Sequence, residues 1–376
     1  MALFSDSPTT RSRRPRRSGS SGTTGWVILG IALVAGVVLG LTPSPYVIER
    51  PGPVYNTLGT APSAAAEGTK VEELELITIP GQTVFPTEGS LDLLTVSVVG
   101  NRENRPSWLA VARAWLDPSE AVLPLDDVYP ADVTTEQREE QNATAMVNSQ
   151  TDSVAAALTH LGYDYPTTVS VVSLAEGSPA EGIIAPGDEV VSVNGVSVRD
   201  ITELRLALQE NGTTDAATVA IVRDGQGENV RVTPVDFDGA AIVGINVTTE
   251  YDFPFEVKIQ LDRVGGPSAG MMFALGIIDK LTPGALQGGE NVAGTGTINQ
   301  SGDVGPIGGI QQKLYGAEQA GAEWFLAPLA NCDEVTGHIP DGLTVFAVET
   351  LDEAVTALDA LATGADTSAL PTCPAA

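Results

Sequence analysis

RVGGPSAGMMFALGIIDKL, residues 263–281, sets a glycine-rich turn directly against a strongly apolar, helix-patterned run. That spacing puts Ser268 at a strand-to-helix turn, beside the free N–H groups and partial positive charge of a helix start, where a developing oxyanion would be stabilised. The loop around it, Gly266, Pro267, Ala269 and Gly270, is made of small residues that leave the hydroxyl accessible. Two strand-like runs lead into it, AIVGINVTT at 241–249 and FEVKIQLD at 255–262.

A serine nucleophile needs a base. Gly266–Gly270 satisfies G-x-S-x-G, the elbow of the α/β-hydrolases, and that route requires a histidine after an acid. Only His338, with Asp303 or Asp333 before it, is available, because the other histidine, His160, falls in the last turn of a helical stretch. The second route uses a lysine. The chain has four, Lys70, Lys258, Lys280 and Lys313. With Ile310–Gly321 drawn as a helix, Ile310, Leu314, Ala317 and Gly321 share one face and Lys313 borders it, away from Gln311, Gln312, Tyr315, Glu318 and Gln319. Desolvation on the apolar side lowers a lysine pKa and turns the amine into a general base. A snorkelling structural lysine would fit the same helix pattern.

Composition narrows the field further. The chain has 376 residues, 19 Lys+Arg against 48 Asp+Glu, and a net charge of −29, which excludes nucleic acid held through phosphate contacts. The charge is uneven. Residues 1–41 hold Arg11, Arg13, Arg14, Arg16 and Arg17 against Asp6, while residues 42–376 carry a balance of −33. Gly25–Leu41 follows the arginines as 17 residues without a charge, the lower limit for a membrane span. The positive-inside rule then expects a single-pass anchor with a cytoplasmic N-terminus and the bulk of the chain outside the cell membrane. Cys332 and Cys373 suit an exported chain, either as one disulfide tying down the C-terminal tail or as two free thiols. With no CxxC pair and two histidines, a zinc site lacks ligands. No metal and no cofactor is expected.

Between anchor and nucleophile, Tyr46–Ala66 is rich in Pro, Gly, Ala and Thr and reads as a stalk. Strand composition over Glu72–Gly100, a short helix at Ser107–Leu116 and a longer one at Thr134–Leu161, stopped by Gly162, come next. From Tyr165 the texture changes to short strands and glycine turns with one helix, DITELRLALQENG at 200–212. Such a half-open barrel offers a strand–helix groove to an extended peptide.

Gly177-Ser178-Pro179-Ala180, Pro186-Gly187-Asp188-Glu189 and Val193-Asn194-Gly195 occur in that module in the order of a bacterial PDZ domain, which it resembles. No clear Gly-Leu-Gly-Phe-like carboxylate loop stands out. RVGGPSAG, then Ala293-Gly294-Thr295-Gly296, then the lysine of TGTINQSGDVGPIGGIQQK, 45 residues after the serine, resemble the proteolytic domain of the Lon family, peptidase family S16. That resemblance implies Ser268 as nucleophile, Lys313 as general base and Thr295 as a hydrogen-bonding support of the dyad. Two positions depart from the ATP-driven members. Gly265 stands where they usually have an acid three residues before the serine, and Thr297 where they have one after the Thr-Gly pair. No G-x-x-x-x-G-K-[ST] loop occurs, so no ATP-driven module is expected.

The resulting expectation is an α+β multidomain chain: an N-terminal transmembrane helix, a PDZ-like β-rich domain and a Lon-type proteolytic α+β domain. Its divisions are a basic tail 1–24, an anchor 25–41, a stalk 42–66, an N-terminal segment 67–162, the PDZ domain 165–236, the Lon-type domain 237–362 and a tail 363–376. TEGSLDLLTVSVV at 87–99 looks like the opening strand of the Lon catalytic fold, so the PDZ module is expected as an insertion in the protease domain. The implied activity is ATP-independent serine endopeptidase action on extracytoplasmic proteins, with a PDZ-bound peptide and a ring-like homo-oligomer as family analogy. A PDZ peptide-binding scaffold with an inactive or only self-cleaving protease fold, and a Ser-His-Asp hydrolase, are the other readings.

Overall fold

The computed structural model describes residues 21–62, 73–130, 134–237, 239–261 and 264–374. The basic tail up to residue 20, part of the expected stalk, Arg263 and the last two residues lie outside the described residues. Helix α1 (Ser21–Leu41), strands β1 (Tyr46–Asn56) and β2 (Ser90–Val99), helix α2 (Trp108–Ala114), strand β3 (Ala121–Pro124) and the long helix α3 (Thr135–His160) open the chain. Strands β4 (Thr167–Leu174) and β5 (Glu189–Val193), helix α4 (Ile201–Asn211) and strands β6 (Ala217–Arg223), β7 (Gln226–Val232) and β8 (Ile245–Tyr251) follow. Helix α5 (Gly270–Leu281), strand β9 (Asn291–Gly294), helix α6 (Ile310–Ala320), strands β10 (Trp324–Pro328) and β11 (Thr344–Val348) and helix α7 (Leu351–Thr363) complete it.

Two sheets organise these elements. The first has the order β11-β10-β9-β2-β1-β3 and so draws strands from both sides, in sequence, of the second, β7-β6-β5-β4-β8. Strand β9 runs parallel to both β2 and β10, while β1 is antiparallel to β2 and β3. The parallel strands are buried on both faces and their side chains alternate accordingly. Phe325, Ala327, Val345 and Ala347 face a core with Ile310, Leu314 and Ala317 of α6. Leu326, Phe346 and Val348 face the other core, with Met271 and Phe273 of α5, Leu158 of α3 and Leu358 of α7. Helix α5 is buried from Gly270 to Lys280.

Several expectations are revised. Tyr46–Asn56, read as stalk, is an internal strand with Val47 and Ile48 buried. Its Pro51-Gly52-Pro53 forms the irregularity where the register against β2 shifts, between Pro51 and Val54, which is where a strand tolerates residues lacking an N–H. AIVGINVTT, expected with the Lon-type part, supplies β8, which pairs with β4 in the second sheet. Among the described residues of FEVKIQLD, Lys258–Ile259 is strand, paired with Ile77–Thr78. Thr134 opens α3 through a full capping box with Gln137. His160, at its far end, meets Asp352 of α7 at 2.7 Å, instead of serving the helix carbonyls alone.

Helix α1 covers the expected membrane segment, and Trp26, Ile31, Leu33 and Leu39 on it are all more than half exposed. Among the described residues no helix is long and apolar enough to cross a membrane, so the expected span rests on the sequence.

Candidate active site

The first sheet delivers three side chains to the C-terminal end of β9. Thr295 follows that strand directly and is fully buried. Ser268 sits half-buried on the turn into α5, as the sequence spacing predicts. Lys313 lies in the first turn of α6, only 2% exposed, beside the buried Ile310 and Leu314. That first turn approaches β2 closely: Gly309 caps it at φ 67°, and a Cβ there would stand 2.7 Å from Val96 Cγ2.

Lys313 Nζ is 2.8 Å from Ser268 Oγ and 2.8 Å from Thr295 Oγ1. Thr295 donates its own hydroxyl hydrogen to the Ser268 carbonyl at 2.9 Å, so its oxygen can only accept from the lysine. A neutral amine that gives one N–H to Thr295 keeps its lone pair for Ser268. Burial pushes the Lys313 pKa from 10.5 down to about 7, and among the described residues no carboxylate offsets the lost hydration.

The Ser268 turn is held from outside its own segment. The Gly266 amide donates to the Asn142 carbonyl at 3.0 Å, Ser149 Oγ to the Pro267 carbonyl at 2.9 Å, and Ser153 Oγ to the Gly270 carbonyl at 2.8 Å. All three partners lie on α3. A Cβ at Gly265 would stand 2.8 Å from that of Asn142, and one at Gly270 would stand 2.9 Å from Ser149 Oγ. The small residues expected to free the hydroxyl thus also let α3 press on the loop. Asn142, Ser149 and Ser153 escaped the sequence reading, since nothing in a helical stretch marks which of its polar residues meets a loop 118 positions away.

A cleft of about 500 Å³ opens over the pair, lined by Tyr55, Thr95, Val96, Val264 and Gly308. Of the other residues singled out from the sequence, Asp303 is occupied by Asn299 at 2.8 Å, and the His338 amide closes a turn onto the Val335 carbonyl. The group that meets the Ser268 hydroxyl is Lys313, and not His338. Cys332 and Cys373 are joined as a disulfide, pinning the tail beside β11. Among the described residues, no group of three or more His, Cys, Asp or Glu is gathered to hold a metal.

In the second sheet, Ser178 is part of the framework: its hydroxyl donates to the Val243 carbonyl at 2.8 Å. Arg223 grips the buried Asp188 through two nitrogens, at 2.5 and 2.7 Å. A groove of about 310 Å³ runs between α4 and the start of β8, lined by Ile201, Leu204, Leu208, Ile242, Ile245 and Val247. At its end, Gly244 has φ 67° and packs so tightly on Ser178 that a side chain would collide with it.

Residues 263–360 match the family of Lon protease (S16) C-terminal proteolytic domains, and residues 170–223 match the PDZ domain family. The chain carries a Lon-type proteolytic domain and a PDZ domain. Similar proteins include a Lon protease of Helicobacter pylori strain J99, 28% identical over 180 residues, covering 44% of this chain and 21% of that protein. Lon protease 2 of Herpetosiphon aurantiacus is 42% identical over 91 residues, 23% of this chain and 11% of its own length. Lon protease of Clostridioides difficile is 26% identical over 205 residues, 52% and 24%. The chain therefore spans about a quarter or less of the length of these relatives. The crystal structure of the PDZ domain of an SdrC-like protein from Listeria innocua aligns at 23% identity and a TM-score of 0.20, covering 21% of this chain and 92% of that one. Ser268, Thr295 and Lys313 all fall inside the span matched to the Lon-type domain.

Proposed function

We propose that this protein is an ATP-independent serine endopeptidase in which Ser268 is the nucleophile and Lys313 the general base. The observation that carries the reading is the buried amine at 2.8 Å from the serine hydroxyl, with no carboxylate among the described residues to hold it charged. Neutral Lys313 takes the Oγ proton as Ser268 attacks the scissile carbonyl; the ammonium then returns that proton to the departing amine. Water, deprotonated by the same amine, attacks the acyl-enzyme ester and releases Ser268. Thr295 orients the amine throughout. The Gly270 and Met271 amides are already bonded to the Pro267 and Gly296 carbonyls, at 3.4 and 3.1 Å, which directs the oxyanion role to the amides nearer Ser268.

The domain reading that accompanies this is one protease unit interrupted by the PDZ module. Pairing of β9 with β2 across that module supports it. Strand β8 ends its sheet with one edge unpaired, and the apolar groove beside it suits a peptide added as a further strand. The charge step across Gly25–Leu41 and the exposed apolar surface of α1 support a single-pass anchor, with the PDZ and protease units on the extracytoplasmic side. The 376 residues contain no G-x-x-x-x-G-K-[ST] loop, and the reading takes flexible or unfolded segments as substrates.

The test is cleavage of casein by the full chain without ATP. Wild type cleaves; Ser268→Ala and Lys313→Ala each lose at least about 1,000-fold, and the double variant loses no more than either single one. Equal cleavage by wild type and both single variants would refute the dyad.

A further inference from the structure

A second cavity, of about 350 Å³, lies where the PDZ module meets α3 of the protease unit. Asp152 of α3, Asp200 at the cap of α4, Thr249 and Tyr251 of β8, and Gln300 line it. Its lining is polar, holds two carboxylates and no Lys or Arg, and includes acceptors left without a partner among the described residues. Asp200 is 5% exposed and spends one oxygen on the Glu203 amide at 2.7 Å. Asp152 has the Tyr251 hydroxyl at 3.3 Å. Gln300 is 7% exposed, and its carbonyl oxygen, like the hydroxyl of Thr249, has no partner. The neighbouring cation, Arg199, is taken up by Glu203 at 2.6 Å. A buried, unpaired acceptor costs free energy, and buried carboxylates near one another repel; a cation would relieve both. Burial, with Asp200 adding to it, pushes the Asp152 pKa up to about 6.

This cavity and the PDZ groove share Ile201 and Val247, so one runs into the other along β8. We propose that the cavity reads a cationic side chain, Arg or Lys, of the same peptide that lies on the edge of β8. The inference rests on the groove reading above. A strand added antiparallel to β8, with its carboxyl end at Val243–Ile245, reaches Thr249 and Tyr251 about four to six residues upstream, at roughly 3.3 Å per residue. The ligand is thus a peptide with an apolar C-terminal residue and a basic residue at that distance. The net charge of −29 favours such a partner over an acidic one. Asp152 stands between Ser149 and Ser153 on α3, so the reading carboxylate sits on the helix that holds the nucleophile loop.

Fluorescence anisotropy on the full chain, carrying Ser268→Ala to keep ligands intact, tests this. Three labelled peptides share an apolar C-terminal residue with a free carboxylate and differ at one position about five residues upstream, Arg, Ala or Glu. The Arg peptide binds about tenfold tighter than the Ala peptide, and the Glu peptide more weakly than either. Adding Asp152→Asn brings the Arg peptide to within about twofold of the Ala peptide. Binding of the Ala peptide without a gain from Arg overturns the inference and leaves the groove reading standing. A gain that persists in Asp152→Asn also overturns it. Absence of binding by all three overturns both. The peptide series in the otherwise unchanged protein decides the matter even if the Asp152 variant does not fold.

Discussion

The Ser268 cleft and the Asp152 cavity each hold a largely desolvated ionisable group with a hydroxyl partner and, among the described residues, no opposite charge in contact. In the cleft, Lys313 faces Ser268 and Thr295 and its pKa falls to about 7; in the cavity, Asp152 faces Tyr251 and its pKa rises to about 6. The signs mirror each other, yet the arrangements differ in what they can do. Lys313 is oriented by a threonine whose own hydrogen is already committed, so its lone pair has one target. Asp152 holds the Tyr251 hydroxyl and lies near Asp200 and the Gln300 carbonyl, so what the cavity lacks is a cation. A desolvated amine with a hydroxyl in contact is equipped for chemistry, whereas partly buried acids whose neighbouring arginine is already paired are equipped for binding. Lys280 marks the contrast from within the same protease unit: it too is nearly buried, at 8% exposure, but its Nζ reaches the Glu75 carboxylate at 3.5 Å.

If holding a neutral amine in the cleft costs stability, replacing it with an apolar side chain should recover that stability. Lys313→Met should raise the thermal midpoint of the full chain at pH 8, by on the order of 3 kcal/mol of stability. The sign follows from a folded pKa below the unfolded value of 10.5. The unfolded chain binds the proton that the folded one refuses, so the gain is largest below about pH 7 and fades as pH rises toward 10. A midpoint that drops at every pH would break the comparison.

The orienting role of Thr295 should be worth somewhat less. Thr295→Val is expected to lower casein cleavage by about 10- to 100-fold while Thr295→Ser keeps most of it, because only the hydroxyl is needed. Equal losses in both variants would reduce Thr295 to a packing residue. On the cavity side the expected effect is smallest. Asp152→Asn should stabilise by about 1 kcal/mol at pH 7.5, where the carboxylate is charged in both states, and the difference should vanish below about pH 4. Thermal scans at both pH values check it.

Sequence alone carried the chemistry far and the architecture less far. Ser268, Thr295 and Lys313 were picked out through the resemblance of their motifs to the Lon family, since the apolar periodicity of α6 by itself fitted a snorkelling lysine as well as a buried one. The buttress of α3 was not legible. Ser149 and Ser153 matter through contacts more than a hundred residues away, which no local pattern records. Tyr46–Asn56 was hidden by Pro51-Gly52-Pro53, residues typical of linkers that here occupy a break in the ladder. Strand β8 was recognisable as a strand, but its alternating exposure does not name its neighbour, so it was grouped with the wrong sheet. The loop at Val243–Gly244 passed unnoticed for the same reason: only beside α4 does it become the end of a groove.

The most direct measurement of the central claim is kcat/KM for a fluorogenic peptide as a function of pH. A neutral Lys313 acting as base predicts a rising limb centred near 7, about tenfold per pH unit below it and flat above, absent from the residual activity of Lys313→Ala. A rate that stays level from about pH 5.5 to about pH 8.5, or the same rising limb in Lys313→Ala, would mean that some other group takes the Ser268 proton.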